Sequence, residues 1–229
     1  MQRQYLIFDA DDTLWENNIY FDHAFERFCE FLDHSSLAPD DVRAALDAIE
    51  IVNNKIHGYG ALNFGRNLVQ CFERLAERAV EDHHRHHVAS LAQGIFDSPM
   101  QLMPGVRETL EGLTGRHELT LFTKGADDEQ NRKIDRSGLR PLFAHCAVVK
   151  EKNVEAYVAL ADAHGFDLDR AWMIGNSPKS DINPALKAGL RAVFVPHERT
   201  WTLEREELIE SPMRLVRVKS FRELLQLFG

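Results

Sequence analysis

The chain has 229 residues, 44% of them hydrophobic, which is enough for a sizeable core in one large domain or in a domain carrying an insertion. Its 27 Lys and Arg against 36 Asp and Glu leave a formal charge of -9 with no basic block, so a general nucleic-acid binder and an anionic-membrane binder are excluded. Cys29, Cys71 and Cys146 are odd in number and far apart, matching neither a disulfide framework nor a zinc site and fitting a reducing cytoplasm.

The first element is the apolar run Tyr5–Phe8 in "LIFDADDTLW", read as a strand buried on both faces. Asp9, Asp11 and Asp12 crowd its end. Three carboxylates so close repel one another, so they either form a turn and a helix cap or await a positive partner that the segment lacks. The apolar run before them is too short for a signal peptide, and no later stretch approaches the roughly 18 apolar residues of a membrane span.

Apolar spacing then becomes helical. Phe21, Ala24, Phe25, Phe28 and Leu32 mark a first helix, and Pro39 and Asp40 open a second through Val42, Leu46 and Ile49. A third carries Phe64, Leu68, Phe72, Leu75 and Ala79, and a fourth Val88, Leu91 and Ile95. Residues 16–99 therefore read as a helical bundle inserted into a domain made of residues 1–15 and 100–229. Within the bundle, the aromatic stripe from Tyr20 to Phe31 reads as packing rather than a substrate pocket. Gly58, Gly60 and Gly65 break the helical pattern, either as a plain loop or where backbone nears a ligand. "EDHHRHHV" (81–88) brings four histidines together; His83 with His86 or His87 could share a face, but without a third ligand nearby a solvated surface is the better reading.

From Pro104 the pattern alternates. A helix with Val106, Leu110 and Leu113 precedes the strand "LTLFT", and a helix through Ile134 precedes "AHCAVV". A helix over Tyr157 and Leu160, the strand "AWMIG", a helix over Ile182 and Leu186, and the strand "AVFV" follow. Short apolar strands separated by helices predict an α/β fold with a parallel sheet covered on both faces, and ligands bind beyond the carboxyl ends of such strands. Those ends carry polar and charged groups: Thr123 and Lys124 in "LFTKG", Lys150 and Lys152 in "VVKEKN", and Asn176, Ser177 and Asp181 in "GNSPKSD".

In these four segments the chain resembles the haloacid dehalogenase-like (HAD) hydrolase superfamily, chiefly its phosphatase branch with a helical cap between the first and second motifs. The first motif, DxDx[TV], matches Asp9, Asp11 and Thr13; Thr123 ends the second; a lysine supplies the third; a glycine-acid loop supplies the fourth. The resemblance implies a Rossmann-like core, a Mg2+ cofactor and hydrolysis of a small phosphorylated metabolite through an aspartyl-phosphate. Asp9 would be the nucleophile and Asp11 the acid and base. Thr123, Lys124 and Lys152 would bind the phosphoryl group, and Asp9, the Asp11 carbonyl, Asn176 and Asp181 would hold the metal. Lys152 is preferred to Lys150 from the register with Tyr157, although either could serve. Asn176 stands where the family usually has an acid, which removes a charge from the metal site. Asp12 stands where a glycine is common; it faces solvent or caps the turn and takes no catalytic role. Trp15 either touches the leaving group or packs at the hinge. The segment "LFTKGADDEQNRKIDRSGL" resembles that of nucleotide or flavin mononucleotide phosphatases. Alternatives are a phosphotransferase or phosphomutase, a 2-haloacid dehalogenase, against which the acid at Asp11 counts, and a phospho-ligand-binding protein with a weakened metal site.

Overall fold

The computed structural model describes residues 2–229, which divide into two compact units, residues 2–17 with 100–229 and residues 18–99. The first unit is built on a parallel sheet. Among the described residues it has six strands: β1 (Tyr5–Phe8), β2 (Glu118–Lys124), β3 (His145–Val149), β4 (Ala171–Gly175), β5 (Arg191–Phe194) and β6 (Leu215–Arg217), in the spatial order β3-β2-β1-β4-β5-β6. The chain moves outward from β1 through β2 to β3, then returns to pair β4 on the other side of β1. Strand order reverses at β1, and such a reversal opens a crevice beyond the carboxyl ends of the strands.

Successive side chains of a strand face opposite sides, which sorts β1 into two cores. Leu6 and Phe8 pack with Leu110 and Leu113 of α5 (Val106–Leu113), Ile134 of α6 (Asp127–Ser137) and Leu224 of α9 (Leu224–Phe228). Ile7 packs on the other face with Phe122, with Tyr157 and Leu160 of α7 (Val154–His164), and with Ala185 of α8 (Asn183–Lys187). With both faces covered, the apolar run that precedes the aspartates is explained. The expected fold class is the observed one: an α/β, Rossmann-like parallel sheet accompanied by a helical unit.

Two features of this unit differ from the sequence reading, and in the second unit the third predicted helix stops at Leu75, leaving Ala79 outside it. The segment over Ile182 and Leu186 is a π-helical turn, Pro178–Ile182, running into a short α8. Beyond "AVFV" the chain adds β6 and α9; a three-residue strand is too short to display an alternation.

The second unit holds α1 (Asn18–Leu32), α2 (Pro39–His57), α3 (Ala61–Leu75) and α4 (Asp82–Asp97). Pro39 starts α2 with its φ preset, and the Asp41 carboxylate accepts from the Ala38 N–H at 3.0 Å. Phe28, Leu46, Leu68, Phe72 and Val88 form its apolar centre, so most of the aromatic stripe is packing. Gly58 and Gly60, both with positive φ, make the loop between α2 and α3. Gly65 instead lies inside α3, where a Cβ would sit 3.1 Å from that of Ala92 and hold the helices apart. The histidine run lies in α4, and the His83 side chain is 69% exposed, as a solvated surface requires.

No helix among the described residues is long and apolar enough to cross a membrane, and all three cysteines are free.

Candidate active site

β1, β2 and β4 are neighbours, so the residues just past their ends meet. Asp9 follows β1 directly, its N–H donating to the Ile174 carbonyl of β4 at 2.9 Å, which continues the ladder one residue beyond the strand. Its carboxylate is buried and doubly engaged. Oδ1 accepts from Lys152 Nζ at 2.5 Å, and Oδ2 accepts from the Thr13 hydroxyl at 2.9 Å.

Lys152 is the lysine that reaches this point, while Lys150 is exposed. The Lys152 side chain is 1% exposed and also donates to Asp181 Oδ1 at 2.8 Å. Burial works against its charge, but Asp181 and Asp9 outweigh burial and hold the amine above its ordinary pKa. Asp181 is delivered by the π-helical turn and fastened by the Ser177 N–H, which donates to its Oδ2 at 2.9 Å. Burial and the Asp9 charge push the Asp181 carboxyl up, against the pull of Lys152. Gly175 leaves room for this: a Cβ there would lie 2.2 Å from Asp181 Oδ2. The π turn is a form that recurs at functional sites.

Asp11, two residues beyond Asp9, is held by three donors. Lys133 Nζ donates to both of its oxygens at 2.8 and 2.7 Å, Gln130 Nε2 to Oδ2 at 2.9 Å, and Trp15 Nε1 to Oδ1 at 2.8 Å. Burial would raise the Asp11 pKa, but the charge and hydrogen bonds of Lys133, with those of Gln130 and Trp15, overcome it and keep the carboxyl below its usual range. Trp15 is fully buried and orients this carboxylate. Sequence reading missed Lys133 and Gln130. Their signal is the spacing: both lie on α6, three apart, on the face that also carries the buried Ile134.

Thr123 is buried at the end of β2, its hydroxyl donating to Gln130 Oε1 at 3.4 Å. Lys124 points to a different set of partners: Glu204 Oε1 at 2.6 Å, the Ser180 hydroxyl at 2.8 Å and Glu151 Oε1 at 3.4 Å. Glu204 also accepts from the Ser177 hydroxyl at 2.7 Å, so Lys124 braces the loop that carries Asn176 and Asp181. Asn176 donates from Nδ2 to Thr200 at 3.0 Å, and its Oδ1 accepts from Thr13 at 3.2 Å. Asp12 is buried rather than solvent-facing, and its Oδ1 caps the turn by accepting from the Asn17 N–H at 2.9 Å.

Does this set suit a magnesium ion? Two buried carboxylates, Asp9 and Asp181, share the single Lys152 ammonium, leaving the cluster one positive charge short. Asp9 Oδ2 and Asn176 Oδ1 both face the Thr13 hydroxyl, whose one proton serves one of them at a time. All these groups are hard oxygen donors. The chemistry of the set fits Mg2+, which prefers one or two carboxylates supplemented by neutral oxygens and water.

The model of the haloacid dehalogenase-like hydrolases matches residues 4–189, which takes in all of the second unit and the first as far as α8, leaving out β5, β6 and α9. The chain belongs to that family. It is 27% identical over 234 residues to pyrimidine 5'-nucleotidase YjjG of Escherichia coli (strain K12), with 91% of this chain and 99% of that protein covered. A haloacid dehalogenase-like hydrolase from Xanthomonas campestris superposes with a TM-score of 0.79 at 30% identity, covering 92% of this chain and 86% of its own. The HAD-hydrolase YfnB from Bacillus subtilis, solved bound to magnesium, superposes over 100% of both chains with a TM-score of 0.69 at 16% identity, a likeness of fold. This chain is therefore a HAD-type hydrolase.

Proposed function

We propose that this hydrolase is a Mg2+-dependent phosphatase of small phosphomonoesters, working through an aspartyl-phosphate on Asp9. The observation that carries the reading is the pair of carboxylates at one strand end with opposite surroundings: Asp9 against the Lys152 ammonium, and Asp11, two residues on, held by Lys133, Gln130 and Trp15. A halide leaves without needing a proton, so displacement at carbon would not call on Asp11 as an acid.

In this reading an Asp9 oxygen attacks phosphorus, the bond from phosphorus to the leaving oxygen breaks, and Asp11 gives that oxygen a proton. Water then attacks the acyl-phosphate, Asp11 takes its proton, and inorganic phosphate leaves with Asp9 restored. The Asp11 seen is the ionised form, ready for the second step; to carry a proton in the first it must turn from Lys133. Lys152 balances the phosphoryl charge, Asp181 orients Lys152, and Thr123 donates its hydroxyl to a phosphoryl oxygen. Lys124 reaches that group only by leaving Glu204. Asp9, the Asp11 carbonyl and Asn176, with Asp181 directly or through water, would hold the magnesium, which supplies electrostatic stabilisation of the transferring phosphoryl group. Residues 1–15 and 100–229 act as the catalytic core and residues 16–99 as a substrate-selecting cap. The similarity to a pyrimidine 5'-nucleotidase favours nucleoside 5'-monophosphates as the substrates of this chain, and a cytoplasmic location fits such metabolites.

Phosphate release from a panel of nucleotides, sugar phosphates and p-nitrophenyl phosphate, with Mg2+ and with chelator, tests this against the Asp9→Asn variant. Metal-dependent release absent from the variant is expected. Release that survives the substitution would remove the nucleophile, and release of halide from haloacetates would move the protein to the dehalogenases.

A further inference from the structure

A second group of ligand-type side chains lies outside the set assigned above. Asp12, Glu16 and His197 bring a carboxylate oxygen, another carboxylate oxygen and an imidazole nitrogen all within 4.8 Å of one another. His197 comes from the loop after β5, whereas Asp12 and Glu16 flank the turn after β1, so the group joins segments distant in sequence.

His197 and Glu16 each carry a buried polar atom that makes no hydrogen bond. The His197 side chain is only 9% exposed, and its Nδ1 is buried without a hydrogen-bond partner. Its Nε2 stands 3.4 Å from Glu16 Oε2, well beyond the roughly 2.7–2.9 Å of a charge-assisted hydrogen bond. Glu16 Oε2 is itself buried with no donor. A buried carboxylate oxygen facing an imidazole edge at that distance, with a second carboxylate beside them, wants a cation between them.

The three residues are also held in place before any ligand arrives. Asp12 N–H donates to the Trp15 carbonyl at 2.8 Å, and Glu16 N–H to the Gln101 carbonyl at 2.9 Å. The His197 carbonyl accepts from Thr200 N–H at 3.2 Å and from the Thr200 hydroxyl at 2.9 Å. Asp12 adopts a left-handed φ of +60°, a conformation that costs a non-glycine residue free energy; a glycine would avoid that cost but carry no carboxylate.

We propose that Asp12, Glu16 and His197 form a second cation site, separate in its ligands from the Mg2+ set, that takes a borderline divalent transition ion of the zinc class. One imidazole with two carboxylates, leaving a position for water, is a three-ligand set of the kind zinc accepts, while the nitrogen donor disfavours magnesium. The bound ion ties the turn after β1 to the loop after β5.

The test is calorimetric titration of the full-length protein with Zn2+ in the presence of saturating Mg2+, which occupies the other set. One zinc equivalent is expected, with affinity lowered at least about tenfold in both His197→Ala and Glu16→Gln, since loss of even an indirect support of a metal ligand costs that much. Zinc binding undiminished in both variants would overturn the site by placing the ion elsewhere, for example on the exposed α4 histidines. No zinc binding by the wild type would overturn it too, leaving His197 and Glu16 as a simple contact. Because either variant could fold poorly, a zinc-soaked crystal of the wild type supplies an independent reading: an anomalous peak within about 2.3 Å of a His197 ring nitrogen supports the site. An empty map there refutes it.

Discussion

Replacing Lys152 by Met removes the single ammonium that two buried carboxylates share. Its side chain is 1% exposed, and those of Asp9 and Asp181 are 10% and 1% exposed, so water cannot take its place. Breaking a buried ion pair by deleting one partner costs about 3–5 kcal/mol, because the remaining charge stays desolvated. Here two charges remain, and the upper end of that range applies in chelator at pH 8. With an m-value of about 3 kcal/mol/M, the urea midpoint of the unit holding the sheet should fall by roughly 1.5 M. A proton can substitute for the ammonium. A carboxyl whose folded pKa is raised contributes most below its unfolded value and loses that contribution as pH rises through the folded one, so the deficit at pH 5 should be smaller than at pH 8. Magnesium should also narrow the gap between variant and wild type, since the ion supplies the missing charge at Asp9. A loss below about 1 kcal/mol at pH 8 in chelator, or one independent of pH, would refute the view that Asp9 and Asp181 are both charged around Lys152.

Three further substitutions probe other parts of the molecule. Lys133→Met strips Asp11 of its strongest donor, so the Asp11 carboxyl rises from its depressed value; because Asp11 must carry a proton in the first step, the limb of the kcat/KM profile on which activity falls with rising pH should move to higher pH, and an unmoved limb would mean that Asp11 does not set it. Asn176→Asp adds a charged oxygen to the proposed metal set and should tighten Mg2+ by roughly tenfold in calorimetry, as ligand charge tunes such sites; unchanged affinity would place the ion away from residue 176. Glu50, buried in α2 beside Arg43, has its carboxyl pushed up by burial from 4.5 to about 7 in spite of the Arg43 charge. Stability of the helical unit should therefore fall as pH rises from about 4.5 to 7, by about 3 kcal/mol. Glu50→Gln should flatten that slope in thermal melts from pH 5 to 8, with Arg43 keeping Asp47 at 2.6 Å; a melting profile as steep as the wild type's would place the titrating group elsewhere.

What could be read from the residues alone was what obeys a short period. The strands β1, β2 and β4 are buried on two faces, β3 at the sheet edge and β5 are apolar though less enclosed, and the helices α1 to α4 each bury one stripe, so their apolar positions announce them. Thr123 lies at the end of such a strand, and Asp9, Asp11 and Asp181 follow one or the turn after it, so their meeting follows from parallel strands ending at the same edge. The partners of those residues are a different matter. Lys133 reaches Asp11 across 122 residues of sequence, and His197 faces Glu16 from the far side of the sheet order, in a loop with no periodicity at all. Lys124, next to Thr123, has the right charge and neighbour for a phosphate ligand, yet successive residues of a strand point to opposite faces. That alternation is why Thr123 turns to Gln130 while Lys124 turns to Glu204 and Ser180. Chain-local pattern thus names the acids at the strand ends, whereas which cation holds each acid, and in which protonation state, depends on contacts that only the folded sheet creates.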